Sequence, residues 1–147
     1  MQISPNPSRA IVATPRRNGT SAVECAVVLP LMLTIAIGCT DFARAIHVDI
    51  AVTNCARAGS DYAATNRFTS DTRSSWVEEI TAIATEEAST IPDFDDSKFS
   101  VEVTDTPLGD RVLVSVTCNY RFERVVAWPG LPSNIELTHT VAMTQYQ

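Results

Sequence analysis

A single carboxylate stands inside an apolar run near the N-terminus. Residues Arg16 to Thr40 read RRNGTSAVECAVVLPLMLTIAIGCT, with Glu24 five residues after Gly19. An ionisable group inside a membrane segment is costly, about 2.5–3.5 kcal/mol at mid-bilayer and less near the interface, so it marks a use. The small residues around Gly19 and Thr20 make that bond a candidate cut site. Cutting there creates a positive amine close to Glu24. Opposite charges within about 4–6 Å favour both charged forms, so Glu24 of one chain can pair with the amine of a neighbour. The plainer alternative is a glutamate at a helix start, held by the macrodipole. Basic flank, cut site and buried acid together suggest a processed, membrane-anchored subunit that assembles with other chains.

The remaining reactive side chains form no recognisable catalytic motif. Cys25 and Cys39 fall within the apolar run and read as apolar residues. Cys55 and Cys118 fall beyond it, where oxidation is possible. If the strand face carrying Cys118 covers the helix carrying Cys55, the two can form a disulfide; otherwise they are plain core residues. Such a bridge closes a loop worth on the order of 4 kcal/mol in the chain-entropy model. His47 and His139 complete a formal two-Cys, two-His set, but the four lack the short paired spacings of a structural zinc site. Asp93, Asp95 and Asp96 lack the glycine and distal glutamate of a calcium loop. Asn18-Gly19-Thr20 matches a glycosylation sequon but falls on the cytoplasmic side of the expected span. The expectation is a protein without catalytic residues, metal or cofactor.

Charge sorts the chain into two parts. Residues 1 to 23 contain Arg9, Arg16 and Arg17 and no acid, whereas from Asp41 onward acids outnumber Lys and Arg by 16 to 8. An acidic body argues against nucleic acid as a partner. The basic head places the N-terminus in the cytoplasm and the body outside. The apolar run is 16 residues from Cys25 to Thr40, or 18 with Ala22 and Val23. That is marginal against the roughly 20 residues a spanning helix needs. A cleaved signal peptide competes, but an A-x-A exit is poor here, and the pattern past Asp41 continues as helix. A buried core helix is the third alternative.

The elements that must position these residues follow from periodicity. The prolines Pro5, Pro7 and Pro15 make residues 1 to 15 irregular. From Ser21 to about Asn66 the pattern is helical, with Pro30 predicting a kink and Gly38 and Gly59 allowing either bending or close approach of another backbone. Phe42, Ile46, Ile50, Thr53 and Arg57 mark one face, and Ala43, Ala45, Val48, Ala51, Val52, Cys55, Ala56 and Ala58 widen it into a broad buried arc. Ser75-Trp76-Val77-Glu78 reads as a capping box opening a second helix to about Ser89. Trp76, Ile80, Ile83, Ala84 and Ala88 share its apolar face, and Pro92 ends it. The period then becomes two. Phe99, Val101 and Val103 alternate in a first strand; Asp105 to Asp110 reads as a turn. Val112, Val114, Val116, Cys118, Tyr120 and Phe122 line one face of a second strand. A loop at Trp128–Pro132 leads to a third strand, Ile135 to Thr144, with Ile135, Leu137, Val141 and Met143 on one side. The expected fold is α+β: a long N-terminal membrane-spanning helix packing its outer half on a three-stranded antiparallel sheet, with a second helix inserted.

With these residues in view the chain resembles TadE-like proteins, minor pilins or pseudopilins of the tight-adherence (Flp-type) pilus system. Ala22-Val23-Glu24 and Ala26-Val27-Val28-Leu29-Pro30-Leu31 carry the head of that resemblance. Asp41-Phe42-Ala43-Arg44-Ala45 and Thr53 to Ala63 are similar to the family's juxtamembrane helix, and Trp128-Pro129-Gly130-Leu131 to its C-terminal end. One position departs: Cys25 stands where an aromatic residue usually follows the glutamate. The resemblance implies a leader, residues 1–19, cut by a prepilin peptidase between Gly19 and Thr20, with Glu24 as the fifth residue of the mature chain. It implies a transmembrane helix half, 20–40, and an extracytoplasmic pilin-like domain, 41–147, anchored in the inner (cytoplasmic) membrane. The implied partners are the peptidase, other pilins or pseudopilins, membrane assembly proteins and the lipid bilayer. The competing function is an uncleaved, monomeric, membrane-tethered binding domain.

Overall fold

The computed structural model describes residues 19–127, 130 and 132–146. Most of the leader, the arginines at 16 and 17, and Trp128, Pro129 and Leu131 of the C-terminal loop lie outside the described residues. Among the described residues the order is α1 (Thr20–Thr65), α2 (Arg73–Ala88), a 3-10 turn (Asp96–Lys98), β1 (Phe99–Leu108), β2 (Arg111–Glu123) and β3 (Asn134–Tyr146). The class is α+β, with a long apolar N-terminal helix, a second helix and one antiparallel sheet, as the periodicity predicts. The chain divides into two units between Ala36 and Ile37.

The first unit holds the start of α1. Every described side chain from Ser21 to Ala36 is exposed to the surroundings of the protein. The helix is long and apolar enough to cross a membrane, and none of its most apolar window is buried inside the protein. Pro30 cannot donate to the carbonyl of Ala26, yet the helix runs on through it. The Thr34 hydroxyl donates to the Pro30 carbonyl at 2.8 Å.

The second unit is a meander packed under helices. Its strands lie in the order β1-β2-β3, both pairs antiparallel. Val101 faces Cys118 and Val103 faces Val116 across the first pair; Val116 faces Val141 and Cys118 faces His139 across the second. The alternation of β2 sends Val112, Val114, Val116, Cys118, Tyr120 and Phe122 all into the core, as expected of a sheet with one covered face. The connection between β1 and β2 is tighter than the sequence suggests. Asp105 to Leu108 pair with β2, and the turn is Gly109-Asp110 alone. Gly109 supplies the positive φ of 69° that a two-residue hairpin loop requires.

The α1 face needs a correction. Its core side is the small-residue arc of Val48, Ala51, Val52, Cys55, Ala56, Gly59, Ser60 and Ala63, all buried. Phe42, Ile46 and Ile50, expected at the centre of the buried arc, are 68%, 45% and 55% exposed. Packing distance explains the choice. A Cβ on Gly59 would sit 3.2 Å from Ile80 Cγ2 and 3.2 Å from Val116 Cγ1, so only the smallest residues let α1 approach α2 and β2 this closely. Two buried polar groups fasten α1 to β3: the Ser60 hydroxyl donates to the Val141 carbonyl at 3.0 Å, and the Gln145 amide donates to the carbonyl of Ala63 at 2.9 Å and of Asn66 at 2.6 Å.

The start of α2 is also corrected. Ser75 lies inside the helix and its hydroxyl donates to the Thr72 carbonyl at 3.1 Å, so no capping box forms. The N-cap is Thr72, which is itself near-helical and gives no side-chain cap to the helix. Its hydroxyl accepts from the Thr69 N–H at 2.9 Å instead. The apolar face is as read from the spacing: Trp76, Ile80, Ala84 and Ala88 are buried, with Ile83 half-buried. The Trp76 ring lies 4.3 Å from that of Phe68, and its N–H donates to the Asn66 carbonyl at 2.8 Å.

Candidate functional site

The N-terminal residues singled out by sequence lie at the first turn of α1. Helix begins at Thr20, and the Gly19 carbonyl accepts from the N–H of Ala22 at 3.0 Å and of Val23 at 3.1 Å. Gly19 is exposed. A Cβ built on it meets no described residue within 4 Å, so packing among the described residues does not demand a glycine there. Glu24 follows one turn after Thr20 and is exposed on a strip with Cys25, Val28, Leu29 and Met32. No ion pair joins it to another described residue. An acid lying on an apolar helix surface with no ion-pair partner among the described residues is suited to receive a cation from outside the chain.

The outer half of α1 carries a second candidate surface. Phe42, Ile46 and Ile50 recur at a spacing of four, so they stack on one side of the helix. All three are exposed large apolar side chains of the second unit. Sequence reasoning found these residues but assigned them to the core. The signal that separates them is size, because the small residues of the same helix take the core side.

Asp41, just past the apolar run, was not singled out as a site by the sequence. It is 6% exposed. One carboxylate oxygen accepts from the Val125 N–H at 3.3 Å and the other from the Val126 N–H at 3.2 Å. Arg44 lies one turn on, 3.7 Å from the same carboxylate, with its guanidinium 5.6 Å from the Phe122 ring centre. This binds the chain after β2 to the helix.

The four Cys and His candidates outside the apolar run divide differently. His47 is exposed. Cys55 and Cys118 are both fully buried and both free thiols. Burial pushes the Cys118 thiol up to about 12, with Cys55 adding to the shift as a neighbouring charge. Burial and then Glu87 push Cys55 up to about 11. Cys55 faces the core from α1 and Cys118 from β2. His139 lies opposite Cys118 in the sheet register and its Nε2 is 2.8 Å from Asp49 Oδ1. A Cys, His and Asp at one place invite comparison with a nucleophile and base, but a thiol pushed up this far is the reverse of an activated one. Asp95 is committed locally, accepting from the Ser97 N–H at 3.0 Å and hydroxyl at 2.6 Å. Among the described residues no group of three or more His, Cys, Asp or Glu is placed to hold a metal ion.

This arrangement is a helix long and apolar enough to cross a membrane, a small helix-on-sheet domain, and an acid in the apolar segment with no ion pair among the described residues. Residues 19–61 match the family model described as TadE-like protein. That stretch is similar to TadE-like proteins, which is consistent with a protein of the tight-adherence pilus system. The matched segment contains Gly19, Thr20, Glu24, Asp41 and Cys55 and stops before α2. No curated protein and no solved structure gives a significant match.

Proposed function

We propose that this chain is a membrane-anchored minor pilin or pseudopilin that takes part in assembling a tight-adherence pilus or a related secretion apparatus. The observation that carries this reading is the exposed apolar side of α1 within the sheet domain, at Ile46 and Ile50. A tethered monomer gains nothing from large apolar side chains facing water on a folded domain, whereas a subunit covers them with a neighbour. The open surroundings of Gly19 support processing at Gly19–Thr20 by a prepilin peptidase, since the fold itself does not require glycine there. The mature chain then begins at Thr20, and Glu24 pairs with the new amine of a neighbouring subunit. The protein sits in the inner membrane with its N-terminus in the cytoplasm and the sheet domain outside. Cys55 and Cys118 form a disulfide once the domain reaches that oxidising side.

Glu24→Gln tests the reading, because it keeps size and polarity and removes the charge. The variant should insert and keep a folded domain, whose core lies beyond residue 41. It should lose co-purification with pilus components. Unchanged co-purification and pilus output would favour an uncleaved, membrane-tethered binding domain.

A further inference from the structure

We infer that the segment after β2, at Val125 to Ala127, rests in the headgroup layer of the membrane that α1 enters. The inference deepens the membrane-anchored reading and rests on it. Asp41 follows directly on the apolar run that ends at Thr40, so its carboxylate lies at the boundary between hydrocarbon and headgroups. Both oxygens of that buried carboxylate hold backbone N–H groups of the segment, Val125 at 3.3 Å and Val126 at 3.2 Å. The segment is thereby fixed at the level of the bilayer surface. Its outward side chain is apolar: Val125 is 74% exposed. Phe42, beside Asp41 on α1, is 68% exposed at the same level. In water such side chains are a cost; in the interfacial layer their burial is favourable, by about 25 cal/mol per Å² of apolar area removed from water. The Arg44 guanidinium, one turn beyond Asp41 and 3.7 Å from its carboxylate, adds a positive charge beside this surface. The occupant of this surface is lipid, and a second protein chain is an outcome the test distinguishes.

The test uses the full chain reconstituted in vesicles, with Val125→Trp in a Trp128→Phe background. Trp76 serves as the internal reference. Its indole N–H bonds to the Asn66 carbonyl just past the end of α1, 25 residues and roughly 37 Å along the helix from Asp41. Vesicle flotation is measured first, then quenching by phospholipids brominated near the glycerol end of the chain. The introduced tryptophan should lose most of its emission in brominated relative to plain lipid, while the Trp128→Phe protein alone should lose none. Ala127→Trp, at another exposed position, should behave alike and guards against misfolding of one variant. Adding Asp41→Ala should free the segment and reduce the quenching. A protein that floats with the vesicles yet shows no quenching at either position overturns the membrane contact and leaves the anchor standing. Failure to float overturns both. Emission that changes with protein density and not with bromination would assign the surface to another copy of the chain and overturn the lipid assignment.

Discussion

Gly59→Ala should destabilise the sheet domain although alanine is the better helix former. A Cβ at position 59 meets Ile80 Cγ2 and Val116 Cγ1, each at 3.2 Å. Both neighbours are fully buried, on different elements, α2 and β2. Neither is the loose end of a long chain, so relief requires α1 to move from both at once. Overpacking of this kind costs typically about 1–3 kcal/mol. Replacing glycine inside a helix returns about 1 kcal/mol. The net is a loss of about 1 kcal/mol, or about 4–8 °C in Tm for a domain of this size. Trp76 fluorescence in a Trp128→Phe background reports unfolding, because Trp76 is buried. Val116→Ala makes room at one of the two contacts. Its cost in the Gly59→Ala background should therefore be smaller than in the wild type by at least about 0.5 kcal/mol. A variant as stable as the wild type, or strict additivity with Val116→Ala, would refute the close approach of α1 to α2 and β2.

Further outcomes concern the cysteines and the N-terminus. Oxidation of Cys55 and Cys118 releases two protons and two electrons to an extracytoplasmic thiol oxidant. Unreduced native protein should then resist alkylation at both, and two alkylated thiols after unfolding without reductant would disprove the bridge. Both folded thiols are pushed above the ordinary value of 9.0, to about 11 and about 12. The unfolded chain therefore releases their protons first, and the reduced protein should lose stability as pH rises from about 9 to about 12. The bridged form has no such protons and should lack that part of the decline, which paired denaturation curves would reveal. Gly19→Leu should leave an uncut, slower-migrating chain, and an intact Met1 in native membranes would contradict processing before Thr20. Protease added to spheroplasts should degrade the sheet domain; its full protection would reverse the proposed orientation.

The parts of this protein that sequence makes legible are those governed by periodicity. Six alternating residues from Val112 to Phe122 mark the core face of β2 because a strand has only two faces. The long helix and its apolar start are equally plain. What escapes is the choice between two apolar sides of one helix. Phe42, Ile46 and Ile50 are more hydrophobic than Ala51, Ala56 and Gly59, yet the core takes the small ones because it needs proximity to α2 and β2. The Asp41 contact with Val125 and Val126 escapes too, since it joins positions more than 80 residues apart through backbone N–H groups that carry no sequence signature. Ser75 deceives in the other direction: its pattern with Glu78 suits a cap, but the preceding Thr69–Thr72 turn already starts the helix. Of the proposed site, Glu24 and Gly19 are visible from residue type and spacing, whereas the apolar face becomes visible only once the core side is known.

The claim that this chain is a subunit, joined to others along α1, is tested most directly at Ile46. A photo-reactive amino acid placed there and activated in native membranes should link the chain to another subunit at a defined mass. The same probe at Glu102, exposed on β1, should give no such product. No product at Ile46, or equal yields at both positions, would contradict assembly through the exposed face of the helix.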